Sequence, residues 1–218
     1  MVGSPDTAAE GWAAGLSPEQ TLSLVEDHRR RAAHALQVDP RLLYGVWGVA
    51  WGVGFAAFWV AAGGPQGGYR TPPGWVGAMF GVVIVTAVAV TAIHVGRATR
   101  GVRGVSAQVG AMYAGAWWLG FAGFAAVLGG LVRAGASEQV LAVYSPAASC
   151  LLVGVLYLAG GAIWRDRVQY GLGGWIVAVT AAGALTGLPG LYLVMSVAGG
   201  GGFLLAAAWF AVRGMVRR

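Results

Sequence analysis

The sequence predicts an all-α polytopic membrane protein, six transmembrane helices arranged as three hairpins and preceded by a short amphipathic cytoplasmic helix. Three observations predict it. First, the stretches 42–64, 75–93, 109–132, 140–164, 170–185 and 191–212 contain no Lys, Arg, Asp or Glu. A helix needs about 20 apolar residues to cross a hydrocarbon layer of about 30 Å, and a charge at its centre costs kilocalories. Second, 57% of the 218 residues are hydrophobic and only 10% charged, against about 25% charged in soluble domains. Third, the basic residues fall on alternate connections. Arg29, Arg30, Arg31 and Arg41 precede the first span, Arg97, Arg100 and Arg103 follow the second, Arg165 and Arg167 the fourth, and Arg213, Arg217 and Arg218 the sixth. The other connections hold only Arg70 and Arg133. By the positive-inside rule both termini are expected on the cytoplasmic side of the plasma (inner) membrane.

Residues 1–16 are small, polar and turn-rich and are expected to be disordered. They lack the basic start and apolar core of a cleavable signal, so the first span is expected to act as an uncleaved anchor. In residues 17–39, Ser17-Pro18-Glu19-Gln20 has the form of a capping box with Pro at the first helical position. Leu22, Val25, Ala32 and Leu36 then recur at helical spacing, with i,i+4 pairs Glu26–Arg30 and Asp27–Arg31. This helix should stop at Asp39, because the ring of Pro40 disfavours helical geometry before it, and the Asp39-Pro40 pair can cap the first membrane helix. Arg29, Arg30, Arg31 and Arg41 suit contact with anionic lipid headgroups or with a partner protein. Residues 40–218 form the transmembrane domain.

Within the spans, residue size separates by face. Tyr44, Trp47, Trp51, Phe55 and Phe58 fall on one side of the first helix and Gly45, Gly48, Gly52 and Ala56 on a neighbouring one. The third span repeats this with Tyr113, Trp117, Phe121 and Phe124 against Ala116, Gly120 and Gly123. Small-residue faces let helix backbones approach closely, so Gly45, Gly48, Gly52, Gly120 and Gly123 are the candidate packing positions; an aromatic-lined pocket is the alternative use of the same pattern. In the sixth span Gly199, Gly200, Gly201 and Gly202 run consecutively, and Pro146 interrupts the fourth. These are candidates for a cavity or hinge, since irregular backbone is tolerated in lipid only where it is packed or lines a cavity. Thr180, Thr186, Ser145, Ser149 and Ser196 can line such a cavity or bond back to their own helices. Tyr44, Tyr113 and Tyr170 open the odd-numbered spans in similar sequence, which suggests three repeated hairpins.

Several chemistries are excluded by residue content. The spans hold no carboxylate for proton coupling and no paired Asp or Ser-His set at depth for proteolysis. The chain has no Lys for a Walker loop and one histidine, His94, near the membrane, too few for haem ligation by two. His28 and His34 are six residues apart and do not share a helix face, and the single Cys150 reads as a packing residue. Neither catalytic residues nor a cofactor or metal are expected, and the net charge of +6 points to membrane topology and not to nucleic acid.

The stretch Asp39-Pro-Arg-Leu-Leu-Tyr-Gly-Val-Trp-Gly-Val-Ala-Trp-Gly-Val-Gly-Phe, behind its Arg-rich helix, resembles a group of uncharacterised actinobacterial integral membrane proteins. Their default label is "transporter", and the resemblance, most specific over 17–58, implies no established site. The expected function is a small transporter, channel-like or ligand-binding protein for a neutral or hydrophobic compound. The alternative is a non-catalytic accessory or scaffold subunit of a larger membrane complex. Glycine-rich faces also lead us to expect a homo-oligomer.

Overall fold

The computed structural model describes Ser23 and residues 38–66, 68–101 and 103–216, apart from the side chain of Val216. The expectations for residues 1–16 and for the helix of 17–39, with Arg29, Arg30 and Arg31, therefore lie almost wholly outside the described residues. The chain divides into the units Met1–Val38 and Asp39–Arg218, and the second contains every span. It is an all-α, multi-pass membrane protein. Its helices are α1 (Pro40–Ala61), α2 (Gly74–Ala98), α3 (Val105–Arg133), α4 (Glu138–Trp164) and α5 (Arg167–Thr186). The sixth span is built in pieces: α6 (Gly190–Val194), a π-helical segment Met195–Gly200 and α7 (Gly201–Val216). No strand occurs among the described residues.

Local chemistry sets the helix ends. Asp39 caps α1 by accepting the N–H of Arg41 on Oδ1 at 2.9 Å, with Pro40 at the first helical position where its missing N–H is harmless. Ser137 accepts the N–H of Val140 and starts α4, and Asp166 accepts those of Val168 and Gln169 and starts α5. Only Arg165 and Asp166 separate α4 from α5. The Pro- and Gly-rich connection after α1 contains a short 3-10 turn, Gly64–Gln66, before it reaches α2.

Helices adjacent in sequence pack together, with one break. The pairs α1–α2, α3–α4 and α4–α5 are in contact, α5 packs on the sixth span, and the sixth span returns to α1. α2 and α3 are the flanks. α3 contributes no buried residue and α2 only Val76 and Ala87. Trp118 and Leu119 on α3 are each 77% exposed, as expected of side chains that meet acyl chains and not water.

Aromatic side chains fill the interior. Trp51 meets Phe203 edge-on at 5.1 Å, Phe203 meets Tyr157 at 5.6 Å, and Phe80 of α2 lies on Phe55 at 5.2 Å and directly over Gly54. The predicted aromatic face of α1 is thus turned onto neighbouring helices. On α3, Tyr113, Trp117, Phe121 and Phe124 form a ladder against Trp164, Tyr157 and Tyr144 of α4. Cys150 is buried, and Tyr113 donates to the carbonyl of Leu156 at 2.8 Å.

The basic residues sort by bundle end. Arg41, Arg97, Arg100, Arg103, Arg165, Arg167 and Arg213 share the end where α1 begins, together with Asp39 and Asp166, whereas Arg70, Arg133 and Glu138 occupy the other. At the first end the Asp39 N–H donates to Nε2 of His94 at 2.9 Å, tying the start of α1 to α2. The Arg41 guanidinium donates to both Asp39 oxygens at 3.0 Å, and this hydrogen bond holds the Asp39 carboxyl below its usual value.

A carboxyl with a depressed pKa contributes stability above its unfolded value, about 3.9, and loses it as pH falls through the folded value. We expect thermal unfolding of the detergent-solubilised protein to show this loss between those two pH values. Asp39→Asn, which keeps a capping side chain, should lack that component, and Asp39→Ala should also lose about 1 kcal/mol at every pH. An Asp39→Asn profile that parallels the wild type would contradict the assignment.

Candidate functional site

A run of four glycines has no side chains with which to pack a membrane helix, so what holds it must come from its neighbours. Here the run lies across the junction of the π-helical segment and α7. A π turn inserts one residue into the helix and shifts the hydrogen bonds to i,i+5; such turns occur mostly as single bulges and often at functional sites. Its location in the bundle is central. α1 lies on one side of it and α5 on the other.

Three of the four glycines meet different neighbours. A Cβ on Gly200 would lie 2.7 Å from the Gly52 nitrogen and 3.0 Å from the Gly48 carbonyl oxygen, so the sixth span and α1 touch backbone to backbone. A Cβ on Gly199 would lie 3.1 Å from the Trp51 ring, and one on Gly202 would lie 2.6 Å from that of Trp175. Gly201 faces open space. Side chains complete the contact: Ser196 donates its hydroxyl to the Gly52 carbonyl at 2.7 Å, and the Trp175 indole N–H donates to the Ala198 carbonyl at 2.9 Å. The Thr180 hydroxyl points at the Met195 sulfur, 3.9 Å away.

The sequence-predicted positions divide accordingly. Gly48 and Gly52 belong to this seam, with Leu204 pressed on Gly48 as well. Gly120 meets Leu152 of α4 at 3.1 Å, while the Cβ positions of Gly45 and Gly123 are open. Pro146 lies within α4, where its carbonyl accepts the Ser149 hydroxyl at 3.1 Å. Arg41 is at the start of α1 on Asp39. Of the hydroxyls, Ser149 and Thr186 bond back to their own helices, whereas Ser196 and Thr180 reach across.

Sequence reasoning missed the tightest pair. A Cβ on Gly161 would lie 2.5 Å from the Tyr170 nitrogen, one on Gly173 2.6 Å from the Leu158 nitrogen, and one on Gly154 3.1 Å from the Gly173 carbonyl, so α4 and α5 are joined along their backbones. The signal available was the seven-residue spacing of Gly154 and Gly161, which puts both on one helix face.

No protein-family model, curated protein or solved structure matches this chain. Among the described residues, the segment Met195–Gly200 departs from regular α-helix inside a membrane span.

Two substitutions separate packing from flexibility in the glycine run. Gly200→Ala must push α1 away and should destabilise the protein by about 1–3 kcal/mol, whereas Gly201→Ala, placed in open space, should be neutral or stabilising. Thermal unfolding in detergent measures both, and equal effects would refute the seam. Ser196→Ala removes one interhelical hydrogen bond, for which about 0.6 kcal/mol is typical and about 1.7 kcal/mol the upper end in membrane proteins.

Proposed function

We propose that this integral membrane protein binds or passes a neutral or hydrophobic compound, with the sixth span as its yielding element. The observation that carries the reading is the π-helical segment Met195–Gly200, held within the first half of the sixth span by glycine contacts and hydrogen bonds from Ser196 and Trp175. Spans free of Asp, Glu, Lys and Arg support the choice of compound, since a charged solute would find no counter-ion at depth. The uneven distribution of arginines supports placing both termini in the cytoplasm. Glycine positions still open at Gly45 and Gly123 support self-association.

The test is binding and flux of a panel of radiolabelled neutral compounds in vesicles containing the purified chain, with Gly200→Ala and Gly201→Leu compared with wild type. We expect a compound whose binding or flux falls about tenfold or more in both variants, with secondary structure and oligomer size retained. Loss of the oligomer alone, with flux per protein unchanged, would sink the reading.

A second reading, a non-catalytic subunit of a larger membrane complex, is favoured by the apolar flanks of α2 and α3, which the described chain covers so little. Co-purification of a stoichiometric partner from the native membrane, abolished by deleting residues 17–38, would establish it in place of the first.

A further inference from the structure

Two shallow depressions, open to the surface, adjoin at the arginine-bearing end. One, of about 300 Å³, opens at the α4–α5 turn beside Arg165, Asp166, Arg167 and Gly171. The other, of about 320 Å³, continues from Arg167 and Gly171 along the cleft between α5 and α7, past Leu172, Trp175, Gly202 and Leu205. Chemistry changes along their length. The mouth is cationic, and the rest is walled by apolar side chains and glycine. From Arg167 to Trp175 a helix rises about 12 Å, against a leaflet about 15 Å deep.

Two guanidinium groups against the single Asp166 carboxylate leave the mouth net positive. The Asp166 carboxylate accepts the N–H groups of Val168 and Gln169 at 2.9 and 3.1 Å, which turns it into the start of α5. Arg165 has φ +54°, a left-handed conformation at a helix end where glycine is the usual residue. The residue there is an arginine, so that with Arg167 two guanidinium groups flank one turn. Lower down, the Trp175 indole is fixed by its hydrogen bond to Ala198 and lies over Gly202, which gives the groove a defined wall.

We infer that this is a binding site for an anionic phospholipid, with the headgroup phosphate between Arg165 and Arg167 and one acyl chain in the α5–α7 groove. A partner helix would fit the apolar part but leave unmatched the net positive charge of the mouth, two arginines against the one Asp166 carboxylate. A soluble phosphate would answer the mouth but leave the groove unfilled. Only a molecule with an anion at one end and a hydrocarbon chain at the other answers both, and the bilayer supplies it at the matching depth.

Native mass spectrometry of the purified full chain, titrated with phosphatidylglycerol or with phosphatidylcholine of the same acyl chains, tests the assignment. We expect preferential retention of phosphatidylglycerol, reduced ~5-fold per arginine in the double variant Arg165→Gln/Arg167→Gln. Gly171→Leu should block the site for either lipid, because its side chain enters the junction of the two depressions, where no atom lies within 4 Å of the added Cβ. That change also favours the helix, so loss of lipid would not reflect unfolding. Glycerol 3-phosphate should not compete. Wild-type retention of phosphatidylglycerol by either variant, equal retention of the two lipids by the wild type, or competition by glycerol 3-phosphate would each overturn the inference.

Discussion

Apolar helices in a bilayer gain nothing by hiding from water, so how closely their backbones can approach decides which pairs associate. The structure depends on that constraint at two seams. At one, Gly200 rests on Gly52 and Gly48; at the other, Gly161, Gly173 and Gly154 bring α4 and α5 together. Aromatic rings occupy the volume these contacts leave, with Phe203 meeting both Trp51 and Tyr157. α2 and α3 meet the core through rings and carbonyls, Phe80 on Phe55 and Tyr113 on Leu156, and remain on the flanks.

The six spans were legible because lipid forbids charge over a fixed thickness, and that prohibition is visible residue by residue. The cap of α1 was legible for a local reason, since Asp39 and Pro40 act within one turn. Which glycines meet a backbone was not, because the chain has 38 of them and their neighbours come from other helices. Gly48 and Gly52 were singled out and lie in a seam; Gly45 and Gly123 were singled out with them and face open space; Gly154, Gly161 and Gly173 were not and lie in the closest contact. The glycine run marked a place where regular packing would fail, but the π-helical bonding occurs where Ser196 meets Gly52 and Trp175 meets Ala198, both long-range contacts that no local pattern shows.

The proposed repeat of Tyr44, Tyr113 and Tyr170 illustrates the same limit. Tyr44 is buried and stacks on Phe210 at 5.9 Å, Tyr113 donates to a carbonyl of α4, and Tyr170 is 52% exposed. Similar letters at similar depth thus have different surroundings. An interfacial preference of tyrosine accounts for the sequence likeness without requiring equivalent hairpins.

The order of contacts makes the sixth span more than one helix among six. α1 with α2 forms one group and α3, α4 and α5 another, and they are joined chiefly across the sixth span. The π-helical segment is bonded to both, to the first through Ser196 and Gly52 and to the second through Trp175 and Ala198. A return of that segment to regular helix would move one residue's worth of register past two fixed groups at once. The seam on α1 joins backbones at Gly200, Gly52 and Gly48, with Leu204 on Gly48 and Trp51 against Gly199 to fix its register, and the indole on α5 fixes the other side. A span so placed, with π-helical backbone in its first half, is the element through which a change of register would alter the relation between the two groups.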